Sequence, residues 1–192
     1  MVATFLDGVD QGRWKLTDRF PLMIPQGSRK FSSTVAPVRP GAMISAQGLI
    51  ELAITRSDNP ATDALLAVVG GPQAVNRWLR KAGISGMRMD RDIATLVRDD
   101  GEFDPASVID RRDSATPRAM LDLMVGLGVQ PANIFVVDSK GVIREGRGDK
   151  LDESKQRYCQ KTDAKTLAEV VRGADVFLGC SAAGVLTGEM VA

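Results

Sequence analysis

The side chains able to do chemistry in this chain are serines, lysines, one tyrosine, carboxylates and two cysteines, because its 192 residues include no histidine. That excludes Ser-His-Asp and Cys-His activation of a nucleophile and every His-ligated metal site. Two polar clusters stand out by spacing. Ser57-Asp58-Asn59 lies between two stretches of helical periodicity, and Asp138-Ser139-Lys140-Gly141 ends a run of β-branched and aromatic residues. Taken alone, the first reads as a turn with an N-cap and the second as a strand-ending turn. Cys159 and Cys180 lack C-x-x-C spacing and read as buried or half-buried thiols in a reducing compartment.

These clusters need elements to hold them. Val2 to Val9 reads as the remainder of a helix with no capping residue before it. Pro21 to Gly41 is dense in Pro, Gly and Ser and reads as an extended loop. Ser45 is an N-cap for a helix with Leu49, Leu52 and Ala53 on one face, ending near Arg56. Pro60 biases Asn59 away from helix, so Ser57 to Pro60 is a tight turn before a helix over 61–69. A helix over 73–81 ends at Gly83, residues 91–113 are mostly loop, and Thr116-Pro117 opens a helix through Leu127. After Gly128 the pattern changes. Asn133 to Asp138 and Asp175 to Gly179 read as buried parallel strands joined by helical stretches near 152–159 and 163–172, a βαβ arrangement. The fold expected is α+β: a mainly helical domain over 1–127, then a small incomplete βαβ piece over 128–192.

Lysine and arginine number 25 against 24 acids, a net charge of +1, so no basic field draws the chain to nucleic acid or an anionic membrane. Charges scattered through Met1 to Phe20 leave no signal-peptide core, and no apolar run reaches 18 residues. The chain as written reads as cytoplasmic, with no membrane or nucleic-acid partner.

Ile54 to Thr62 (ITRSDNPAT), Val69-Gly70-Gly71-Pro72, Trp78-Leu79-Arg80 and Asp113 to Met120 (DSATPRAM) together resemble the helical domain of class A serine β-lactamases and related penicillin-recognising hydrolases. The resemblance implies that Ser57 relays a proton toward the leaving lactam nitrogen, that Asn59 hydrogen-bonds the substrate's side-chain amide, and that Asp58 holds the turn. A β-lactam-like molecule is the small-molecule partner implied. The family's nucleophile is the serine of S-x-x-K, and no serine here has lysine three positions on. The resemblance places that motif upstream of Met1, so the chain reads as truncated from a parent that would be exported. Lys161-Thr162-Asp163 lacks the glycine of the family's K-T-G, and Ile93 stands where the family's loop carries the deacylating Glu, with Asp92 as the nearest acid.

Asn133 to Gly141 (NIFVVDSKG), Gly146-Arg147-Gly148, Thr162 to Leu167 and Ala174 to Val191 resemble consecutive pieces of the NAD(P)-binding domain of bacterial malic enzymes. The resemblance implies a Rossmann-like piece in which Asp138 meets the adenine ribose, Lys140 faces a 2′-phosphate and the loop holding Ser181 borders the nicotinamide. The glycine-rich turn that seats the pyrophosphate is not represented: Gly146-Arg147-Gly148 lacks the third glycine and follows no first strand. The chain thus reads as two enzyme fragments fused near Leu123 to Val129. The expectation is serine-hydrolase ancestry without activity in this polypeptide, with weak NAD(P) binding or an inert interaction protein as alternatives. No metal is expected, and uncovered strands predict non-specific self-association.

Overall fold

The structure, a computed structural model, describes residues 1–22, 41–104, 107–108 and 110–191. Most of the loop expected over Pro21 to Gly41 lies outside the described residues. The chain divides into two compact units, Met1–Thr116 and Pro117–Ala192.

Among its described residues the first unit is helical, with one small sheet that periodicity does not reveal. Helix α1 (Val2–Asp10) turns Phe5 inward, where it stacks on Trp14 with ring centroids 5.1 Å apart. The close stacking requires glycine at position 8, since a Cβ there would lie 2.1 Å from the Trp14 ring. Strands β1 (Arg19–Pro21) and β2 (Met43–Ser45) pair antiparallel and lead into α2 (Ala46–Thr55), whose first turn is capped by Ser45 through Gly48 N–H at 3.1 Å. Helix α3 (Asn59–Val69) is the centre of the unit, with Ala61, Leu65 and Leu66 buried against neighbours that include α1, α2 and α4. It stops at Gly70 in the left-handed conformation (φ 95°), and α4 (Gly71–Lys81) turns Val75 and Leu79 inward. The stretch expected to be loop contains a short helix, α5 (Ile93–Arg98), with Asp92 as its N-cap. Asp92 accepts Thr95 N–H at 2.7 Å, a capping arrangement that costs little sequence and leaves little periodicity to detect.

The second unit begins with α6 (Pro117–Gly126), where only Ala119 is fully buried. The molecule is α+β, yet the βαβ piece expected after Gly128 is not formed. Strands β3 (Val137–Asp138) and β4 (Gly141–Val142) are two residues each and pair antiparallel, folding back on one another across Ser139 and Lys140. Gly141 makes this reversal feasible: it sits at φ 97° with Lys165 O where a Cβ would be, 2.2 Å away. The only parallel pairing among the described residues is a single bridge between Arg144 and Gln160. Asp175 to Gly179 forms no strand and is exposed, with Val176 at 67%. The physical reason is coverage: parallel strands persist where helices bury both faces, and α7 (Glu153–Gln156), α8 (Leu167–Val171) and α9 (Gly188–Val191) are too short to do so. A small core remains, made of Ile134, Val142, Ile143, Tyr158 and Val171. Among the described residues no helix is long and apolar enough to cross a membrane.

Candidate functional site

Ser57, Asp58 and Asn59 form the junction between α2 and α3. Ser57 occupies the left-handed region at φ 50°, a conformation that ends helices more often on glycine or asparagine. Asp58 N–H and Arg56 N–H both reach back to Leu52 O, at 3.2 and 3.1 Å, closing the end of α2. Asp58 is 2% exposed and caps α3 through Ala61 N–H at 2.9 Å, while its carbonyl accepts the Thr62 hydroxyl at 2.9 Å. Asn59 is the first residue of α3, so Pro60 sits in the first turn, where its missing N–H leaves no bond unmade. The tight turn expected at Ser57 to Pro60 therefore spans only Ser57 and Asp58. The outcome is an exposed hydroxyl and a half-buried amide presented at the positive end of a helix on a turn anchored by a buried carboxylate.

One turn along α3 from Asn59 lies Asp63, which sequence reading missed. It is buried, and its two carboxylate oxygens accept Ile93 N–H at 2.7 Å and Ala94 N–H at 3.1 Å. Since residues four apart stack on one helix face, position 93 is held about one helical turn from Asn59. A second buried polar residue, Asn76 on α4, brackets Met89 by accepting its N–H at 2.9 Å and donating to its carbonyl at 2.5 Å. Such lone polar residues at inward positions of apolar helices are the sequence signal that would have found them.

The loop so held is closed at its base by Arg88 N–H to Ser114 O (2.9 Å) and Thr116 N–H to Gly86 O (2.8 Å). Inside it, Arg91 bonds Asp113 at 2.5 Å, and Asp113 also accepts the N–H groups of Asp90 and Arg91. Burial pushes the Asp113 carboxyl up, but the Arg91 guanidinium and these two N–H groups outweigh it and hold it below the ordinary range. Arg112 bonded to Asp110 takes that carboxyl down to about 2. At position 93 the loop offers an isoleucine, and the Asp92 carboxylate is engaged at the start of α5. Among the described residues no basic side chain is hydrogen-bonded to the Ser57 hydroxyl, and no group of acids and cysteines could hold a metal.

In the second unit Asp138 and Lys140 share one turn, with Lys140 N–H donating to Asp138 Oδ1 at 2.9 Å. Arg147 and Lys155 also bind that carboxylate. Ser181 is exposed on a shallow depression with Phe177 and Cys180, bordered by neither Asp138 nor Lys140.

A family model described as the beta-lactamase enzyme family matches residues 1–133. A β-lactamase from Xanthomonas campestris pv. campestris is 28% identical with a TM-score of 0.51, covering 68% of this chain and 47% of that one. The chromosome-encoded β-lactamase of Vibrio parahaemolyticus is 30% identical with a TM-score of 0.52, covering 65% of this chain and 44% of that one. A different relative, the NADP-dependent malic enzyme of Haemophilus influenzae, is 49% identical over 74 residues, 38% of this chain and 10% of that protein. The chain therefore spans less than half of those solved structures and a tenth of the malic enzyme. Together the family match and the malic-enzyme match exceed the chain's length, so they share residues.

Proposed function

Because the chain belongs to the beta-lactamase enzyme family, we propose that its first unit is the substrate-facing helical part of a penicillin-recognising serine hydrolase, and that this polypeptide recognises a β-lactam-like amide without being acylated by it. The observation that carries the reading is the Ser57–Asn59 turn, with a hydroxyl and an amide fixed on a buried, capping Asp58. In this role Asn59 holds the substrate's amide and the Ser57 hydroxyl lies beside it as a hydrogen-bonding group; the proton relay to a departing amine that the resemblance implies for Ser57 would operate only where a nucleophile opens the ring. Neither residue supplies a nucleophile, since an unactivated serine keeps its proton, and no serine of these 192 residues has lysine three positions on. Ile93 offers no base for water at the loop position.

Intact-protein mass spectrometry after incubation with benzylpenicillin tests the chemistry: no adduct is expected, and a stoichiometric adduct overturns the reading. Ligand-observed NMR with the same compound tests recognition. Weak binding that Asn59→Ala removes is expected, whereas binding indifferent to that substitution would assign the contact elsewhere. The malic-enzyme-like segment adds no second activity in this reading.

A further inference from the structure

In the second unit a dense set of charged side chains surrounds Arg147. A guanidinium has five N–H donors, and Arg147 uses all of them. Nε and one Nη donate to Asp149 at 2.6 and 2.7 Å, the two Nη atoms donate to Asp138 at 2.9 and 3.2 Å, and Gly141 O accepts a fifth bond at 3.2 Å. The side chain is 7% exposed. Asp138 is equally saturated. A carboxylate has about four lone-pair sites, and here Oδ1 accepts Lys140 N–H and Arg147, while Oδ2 accepts Arg147 and Lys155 Nζ at 2.8 Å.

We propose that Asp138, Arg147 and Asp149 form a closed ionic core that fixes residues 137–155 in place of the missing parallel sheet, and that this closure denies Asp138 to the ribose of a nucleotide. The bonds tie the β3–β4 reversal to the chain on either side of Asp149 and to α7, which has no buried residue of its own. Burial raises the Asp138 carboxyl, and Lys155 and Arg147 together bring it well below the ordinary carboxylate range. For a ribose hydroxyl to donate to Asp138, one of these charged donors would have to leave, and a neutral hydroxyl is the weaker partner. An ionic core of this kind needs the forked geometry of arginine and not merely its charge.

The test uses the full chain and two readouts, amide exchange over residues 134–171 and the melting temperature with and without millimolar NADP. Arg147→Met and Asp138→Asn are expected to speed exchange over 136–145 by about tenfold or more, leaving the first unit unchanged. Arg147→Lys should do nearly as much, and the exposed Lys150→Met should do nothing. NADP should leave wild type unshifted. Normal protection in Asp138→Asn or in Arg147→Lys would overturn the ionic core. An NADP-dependent stabilisation of wild type that Asp138→Asn abolishes, with exchange unchanged, would instead make Asp138 a nucleotide ligand.

Discussion

Asp58 and Asp63 are two carboxylates on one helix, five residues apart, with separate duties. The first satisfies the N–H groups that α3 leaves unbonded at its start, as helix N-termini require. The second reaches across to satisfy the same deficit in α5 through Ile93 and Ala94. Removing Asp63 leaves two N–H groups at a part-buried site with no replacement acceptor, a loss of about 2 kcal/mol. Asp63→Ala is therefore expected to lower the melting temperature by several degrees and to raise amide exchange at Ile93 to Thr95 more than anywhere in α3. Hydrogen exchange followed by mass spectrometry checks this, and unchanged protection over α5 would contradict the role. Asp63→Asn, which keeps one acceptor oxygen, should fall between.

At the scale of elements, the described part of the loop from Gly86 to Thr116 is held by its neck, by two buried polar side chains and by charge. Its ion pairs set its response to acid. Asp113 and Asp110 have lowered folded-state values, Asp110 about 2, against an ordinary value near 4. Carboxylates shifted this way contribute stability above their unfolded value, and that contribution is lost as pH falls through the folded one. The loop should thus be intact above about pH 4 and loosen between about pH 4 and about pH 2, ahead of α3, whose core is apolar. Limited pepsin digestion across that window should cut within 90–113 first. Arg91→Met should bring the same cleavage at higher pH, because Asp113 would lose its side-chain donor while remaining part-buried. Cleavage that began in α3 would refute the order.

For the whole molecule, the two units differ in how their backbones are satisfied. In the first, helices carry most N–H groups and the apolar faces of α2, α3 and α4 meet. In the second, the N–H groups from Asp175 to Ala182, all among the described residues, make no backbone hydrogen bond, and Val176, Phe177, Leu178 and Val185 are exposed. Amides there should exchange near the intrinsic rate while those of α3 are the slowest in the chain. The same apolar stretch is expected to promote self-association. Sedimentation velocity over a concentration series should show association in wild type and less in a Val176→Lys, Leu178→Lys variant; identical profiles would remove this segment as the cause.

The helices of the first unit were legible because local signals agree there: Ser45 caps α2, apolar residues recur at helical spacing, and glycines stand at the ends. The turn at Ser57 and Asp58 was likewise legible as a capped junction between two helices. Sequence could not show that Asp63 serves residues 93 and 94, because a hydrogen bond across thirty residues leaves no mark on local periodicity. Nor could it show β1 pairing with β2, whose three-residue strands are too short to have a period. The largest departure was at Asn133 to Asp138 and Asp175 to Gly179. Both have the composition of buried strands, but composition states only what a segment would do if covered. Whether helices and further strands are there to cover it is a property of the tertiary structure, and here Arg147 and its two aspartates hold the turn instead.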